Sequence, residues 1–141
     1  MKQREDIILN YIKAYNDFDT SGMVVDFDES IRFENISNGK SNMTLFGLTA
    51  FKAQAEQAKD FFSARQQTVK AFHHTGDQTE IEIDYEATLA VDFPNGLKKG
   101  RRLSLLGKSI FKFSGDKIVE LIDISWIVRS YKRRFCLLII P

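Results

Sequence analysis

One carboxylate in this chain falls where carboxylates are seldom found. Asp123 lies in the alternating run Ile118–Trp126, and a strand's period of two aims it the same way as Val119, Leu121 and Ser125. Such a group is either an acid or base in a pocket or the polar rim of a half-exposed sheet. In a pocket among Leu121, Phe111 and Tyr11, lost hydration would raise its pKa by up to several units. It could then shuttle a proton at a carbon beside a carbonyl. Tyr11 and Tyr15 stand one helical turn apart on an apolar stripe, as core rings or as hydroxyls projecting into a cavity. His73 and His74 are adjacent, so on a strand they face opposite ways and cannot chelate one metal together. With a single Cys and two His, no spaced ligand cluster exists, and we expect no metal. Gly96, Gly100 and Gly107 form no phosphate cradle followed by a helix, so we expect no cofactor either.

The elements that must position Asp123 are two runs joined by Ser114-Gly115-Asp116-Lys117, where Gly-Asp is a two-residue hairpin signal. Before the turn, Leu103, Leu105, Gly107, Ser109, Phe111 and Phe113 share one face. After it, Ile118, Glu120, Ile122, Ile124 and Trp126 share the face opposite Asp123. Upstream, Glu5–Phe18 reads as an amphipathic helix through Ile8, Tyr11, Ile12, Tyr15 and Phe18. Asp19 or Thr20 caps a short second helix over Met23–Phe27. Ser30–Ile36 is a first strand, and Ser37–Asn42 is a turn by composition. Thr49 caps a third helix over Ala50–Phe62. Gln66–His74 is the next strand, followed by a turn at Thr75–Gln78. A long strand follows in which Ile81, Ile83, Tyr85, Ala87, Leu89 and Val91 alternate with polar residues. Asp92-Phe93-Pro94-Asn95-Gly96 then turns the chain. The order predicts an α+β layer: an antiparallel sheet with helices gathered on its one apolar face.

At 141 residues the chain fits one domain that buries roughly two-thirds of its unfolded surface. Twelve Phe against two Pro favour a packed interior over disorder. A net charge of +1 gives no overall field to steer nucleic acid. Lys98, Lys99, Arg101 and Arg102 surround a turn without interleaved aromatics and read as a solvated loop. The lone Cys136 forms no internal disulfide, and no apolar run has the length of a membrane span, so a cytoplasmic protein is expected. We expect a single domain over residues 1–126. Residues 127–141 are its extension: a basic cluster (Arg129, Lys132, Arg133, Arg134), then six apolar residues that pack on the body or on a second subunit.

Four stretches carry a resemblance: Tyr11–Asp19, Phe27–Asn35, Gly47–Phe51 and Phe111–Val119. In that order and spacing, the chain resembles the nuclear transport factor 2-like superfamily, which includes SnoaL-like polyketide cyclases and ketosteroid isomerases. The resemblance implies a cone-shaped curved antiparallel sheet wrapped around N-terminal helices, with an apolar cavity, and a homodimer joined through the outer sheet face. In the isomerases a tyrosine on the first helix and a protonated aspartic acid donate to the substrate oxygen, and an aspartate moves the proton. Tyr11 falls at the tyrosine position, Asn35 at the base position and Ser109 at that of the oxyanion-hole acid. An amide takes up no proton at neutral pH, so steroid isomerisation by that route is not expected. Cyclase-like members carry an acid on the last strand, the place held by Asp123. Their histidine on the preceding strand has no counterpart here.

Three functions follow. The first is a small isomerase or cyclase acting on an apolar carbonyl compound, with Asp123 as base and Tyr11, Asn35 and Ser109 holding the developing oxyanion. The second is a noncatalytic pocket for an apolar ligand, lined by Tyr11, Tyr15, Tyr85, Phe111, Leu121 and Trp126. The third is a dimeric assembly module whose cavity is vestigial. None of them involves nucleic acid or stable membrane insertion.

Overall fold

The computed structural model describes residues 1–94 and 96–127. The basic and apolar residues of the C-terminal extension, expected to pack on the body, lie outside the described residues. The order of elements is α1 (Lys2–Asn16), α2 (Thr20–Met23), β1 (Phe27–Ser37), β2 (Lys40–Phe46), α3 (Leu48–Ala58), a short 3-10 turn (Lys59–Phe61), β3 (Phe62–Thr75), β4 (Gln78–Leu89), β5 (Arg102–Ser114) and β6 (Lys117–Ile127). The six strands form one sheet in the order β2-β1-β6-β5-β4-β3.

The α+β architecture is as expected, with two differences in the sheet. First, β1 runs parallel to β6, so the sheet is mixed rather than antiparallel throughout. The first strand enters beside the last one and brings the ends of the domain together. Second, the segment beginning at Lys40 is a strand, not part of the turn. The turn is only Asn38-Gly39, with φ of 51° and 80°, the left-handed pair that a two-residue primed hairpin requires. Lys-Ser-Asn-Met-Thr-Leu-Phe carries little apolar signal because β2 is an edge strand and remains largely open to solvent.

Helix boundaries shift for local reasons. Asp19 caps α2 by accepting from the Gly22 N–H at 3.0 Å, as its position suggested. Thr49 does not cap α3, since that helix starts at Leu48, two residues earlier than expected, with Gly47 at its N-cap. The chain after α2 is extended from Phe27 onward.

The core lies between the helices and one face of the sheet. Phe27, Phe33, Phe51, Tyr11 and Phe111 form a continuous ring cluster, with neighbouring centroids 4.8–5.7 Å apart. Phe51 and Ala55 of α3 and Ile8, Tyr11 and Tyr15 of α1 are buried against it. On β5 the buried residues are those expected, from Leu105 through Phe113. On β6 a bulge opposite Lys112/Phe113 pairs Phe113 with Ile118 and leaves Val119 extra. Ile118 is therefore buried with Leu121 and Asp123, not on the opposite face.

Gly107 lies midway along β5, paired with Ile83 and Ser125. A Cβ there would stand 2.9 Å from the Ile124 carbonyl oxygen and 3.3 Å from the Ile83 side chain. Gly107→Ala should destabilise the fold by about 1–3 kcal/mol through overpacking, read as a lower urea midpoint at unchanged slope. An unaltered midpoint would mean the sheet has room at this point.

Candidate active site

Three strands deliver one polar row to the buried face. Asp123 on β6 has Ser109 of β5 and Asn35 of β1 as its register partners on either side. Residues in register on adjacent strands point to the same face, so the pairing alone sets these side chains together. All three are buried, at 9%, 1% and 0% exposure. Below them Phe111 pairs with Leu121 and Leu121 with Phe33, giving the row an apolar floor.

Ser109 donates its hydroxyl hydrogen to Asp123 Oδ1 at 2.6 Å. Burial pushes the Asp123 carboxyl up from its ordinary 3.8 to about 7, and the Ser109 hydrogen bond only partly offsets that rise. Tyr11, on α1, has a buried hydroxyl without a hydrogen-bond partner among the described residues. Burial holds it well above its usual pKa, and the negative charge of Asp123 raises it further. Tyr11 is therefore a neutral phenol with an uncommitted O–H within the field of the Asp123 carboxyl.

Asn35 is fixed by a contact that the sequence did not suggest. Between β1 and β2 the register slips at Asn35/Ile36, so Asn42 is the extra residue of a bulge. Asn35 Nδ2 donates to Asn42 Oδ1 at 2.9 Å and to Ser37 Oγ at 3.4 Å. Ser37 Oγ in turn lies 3.5 Å from Ser125 Oγ, the next inward residue after Asp123. This leaves Asn35 Oδ1 buried without a partner among the described residues. Ser109 and Asn35 thus have their donor hydrogens engaged by Asp123, Asn42 and Ser37 in this arrangement. Ser109 orients Asp123, and Asn35 presents an acceptor. The Asn-Gly turn that registers β2 against β1 was the signal for Asn42.

Of the residues expected to line a pocket, Phe111 and Leu121 join the row. Phe111 meets the Tyr11 ring edge-on at 5.7 Å. Tyr15 and Tyr85 form a separate pair, with Tyr15 donating to the Tyr85 hydroxyl at 3.0 Å. Trp126 does not join them: it lies on the opposite face of β6 and is 40% exposed. Its even position in the strand decides this, since Asp123 is odd and no bulge intervenes. His73 and His74 diverge, His73 Nε2 to Glu82 at 2.6 Å and His74 Nε2 to Glu5 at 2.7 Å.

A family model for the SnoaL-like domain matches residues 8–121. The chain belongs to the SnoaL-like family. Solved structures share its fold at low sequence identity. AclR, a candidate hydroxylase from Streptomyces galilaeus, is 22% identical over 89% of this chain and 90% of that one, with a TM-score of 0.70. IdmH, a candidate polyketide cyclase from Streptomyces antibioticus, is 18% identical over 87% and 91%, with a TM-score of 0.70. An M. tuberculosis epoxide hydrolase, LEH-like, is 10% identical over 88% and 83%, also at 0.70. No curated protein matches the chain. No helix among the described residues is long and apolar enough to cross a membrane.

The raised carboxyl makes stability depend on pH. Between about 4 and 7 the folded protein holds a proton on Asp123 that the unfolded chain has released, so stability falls as pH rises through this window. Above pH 7 the buried charge costs roughly 4 kcal/mol. Asp123→Asn removes that penalty. It should leave the melting temperature nearly unchanged at pH 4 and raise it at pH 8, as calorimetry at the two pH values would record. Equal effects at both would show the carboxyl to be hydrated.

Proposed function

We propose that this SnoaL-like protein is a small enzyme of the isomerase or cyclase class that moves a proton at a carbon beside a carbonyl. Its substrate is an apolar ring or polyketide-like compound held against Phe111, Leu121 and Tyr11. The observation that carries the reading is the buried Asp123, hydrogen-bonded by Ser109 and brought to about 7 by burial. A base whose pKa lies near the working pH is ionised often enough to act and strong enough to accept.

In the proposed step, the ionised Asp123 takes the proton from the carbon. The electron pair moves onto the carbonyl oxygen, which accepts the hydrogen bond that the Tyr11 hydroxyl has free. The protonated Asp123 then returns the proton at a second carbon, as an isomerase does; or the enolate carbon attacks a second carbonyl, whose π pair moves onto its oxygen, and that alkoxide takes the proton back from Asp123, as in a cyclase. Proton transfer of this kind contributes roughly 10²–10⁴-fold in rate. The SnoaL-like assignment and the candidate cyclase IdmH support this class of substrate.

The test is a panel of hydrophobic ketones. A ligand at 100 times its Kd adds about 2.7 kcal/mol to stability and should be visible as a thermal shift. For any compound that turns over, kcat/KM should fall about tenfold per pH unit below 7, because only the ionised Asp123 serves as base. Asp123→Asn should keep the thermal shift and lose the turnover. A shift with no turnover in the wild type would favour a binding protein, and undiminished turnover in Asp123→Asn would remove the base.

We also propose that two copies associate through the outer sheet face. Leu106 and Trp126 are cross-strand partners there, each 40% exposed, and continue into Ile110 paired with Ile122 and Ile124 beside Ile36. A two-fold axis buries such a patch against itself. Leu106→Lys combined with Trp126→Ser should halve the sedimenting mass with the fold intact. An unchanged mass would place any interface elsewhere.

A further inference from the structure

Away from the Asp123 row, at the far end of the cone, α1 ends on a buried guanidinium. Arg65 of β3 is 5% exposed and donates from Nε to the Tyr15 carbonyl oxygen at 2.9 Å. Its central carbon lies 3.8 Å from the Tyr15 ring centroid and 4.4 Å from that of Phe18. Neither terminal amino group has a hydrogen-bond partner among the described residues, and both are shut off from solvent. A helix carbonyl and two ring faces stabilise the charge in part. They leave the fork of the guanidinium, its bidentate edge, unfilled. Leaving charged donors in that condition is strongly unfavourable unless something takes them.

Phe18 adds an independent observation. The end of α1 is a Schellman motif, in which Asp19 N–H bonds to the Ala14 carbonyl at 2.8 Å and Phe18 N–H to the Tyr15 carbonyl at 3.1 Å. The residue at the left-handed position of such a motif is usually glycine. Here it is Phe18, with φ of 58°. A bulky residue held in that conformation is strained, and such strain collects at ligand clamps. Its ring covers the Arg65 guanidinium.

We propose that Arg65 is the anchor of a second binding site, one for a carboxylate, entered by the cleft between α1 and β3. That cleft measures about 570 Å³; Leu9, Ile12 and Val69 give it one apolar side, and Asn16, Gln67 and Thr68 border it with Arg65 on a polar side. Asp17 also borders it, with its carboxylate held by Lys13 at 2.8 Å. The amino groups are closed off in this arrangement, so an acceptor reaches their edge only when the half-buried Phe18 ring that covers the guanidinium turns aside. A planar two-oxygen anion with an apolar body fits that approach and that lining. The site is displaced from Asp123 along the sheet: Arg65 is in register with Ala87 and Leu103, whereas Asp123 is in register with Ser109, and the fields of both charges meet at Tyr11, Tyr15 and Tyr85. Leu103 and Ser109 stand roughly 20 Å apart along β5 at 3.3 Å per residue.

Benzoate is the probe, with benzamide as its neutral counterpart. In the wild type, benzoate should shift the side-chain ¹⁵N–¹H resonances of Arg65 and benzamide should not. Arg65→Met should weaken benzoate at least about tenfold, the loss expected on removing a charged hydrogen-bond pair. Arg65→Lys, which keeps the charge without the fork, should fall between. Asp123→Asn should bind benzoate as the wild type does, so failure at one site leaves the other standing. Benzoate that leaves the Arg65 resonances unmoved at tens of millimolar overturns the proposal, whether or not Arg65→Met folds. So does benzoate affinity that survives in a folded Arg65→Met.

Discussion

The parallel pairing of β1 with β6 is the constraint on which the rest depends. Without it Asp123 would have a serine on one side and solvent or a helix on the other. With it, Asn35 and Phe33 come into register with Asp123 and Leu121, and the carboxyl is enclosed by strands on both flanks. That enclosure removes the water which would otherwise keep the group ionised at ordinary acidity. The pKa of about 7 is thus a consequence of topology as much as of composition.

Two bulges adjust this arrangement locally. The one on β6 leaves Val119 extra and turns Ile118 into the core, so the strand keeps its apolar face through a bend. The one on β2 leaves Asn42 extra, and its carboxamide accepts from Asn35. Both lie within a few residues of the Asp123 row. A regular ladder would give each inward position one cross-strand neighbour. The bulges change which residues those neighbours are without moving the row itself.

Much of the inward face was legible in the sequence, and for one reason. Asp123, Ser109, Phe111 and Leu121 sit on long strands with a solvated and a buried side, where alternation reports the face directly. Trp126 obeys that same alternation, and its parity already put it outside. β2 was hidden because an edge strand open to water needs no apolar alternation, and the Asn38-Gly39 turn was the only mark it left. The neighbour of Asp123 on β1 was not legible from either strand, since register between distant segments is decided by the whole sheet. Arg65 was hidden by its charge, as a basic residue beside two glutamines reads as solvent-facing. Its burial follows from the slip between Phe62 and Ala64, which puts Phe62 and Arg65 on the same side.

The two buried ionisable centres answer the same physical problem in different ways. Asp123 can become neutral, so burial is accommodated by a proton and the group is left near the midpoint of its titration. Arg65 has no such exit, because a guanidinium stays charged at any pH a protein survives. Its surroundings must stabilise the cation itself, and the carbonyl end of α1 and two aromatic faces do so in part, leaving both amino groups without a partner among the described residues. Phe18 holds a left-handed conformation to supply one of those faces. A glycine at that position would relax the backbone and uncover the charge. The end of α1 is therefore set by two opposing demands, and the demand for a ring outweighs the backbone preference for glycine.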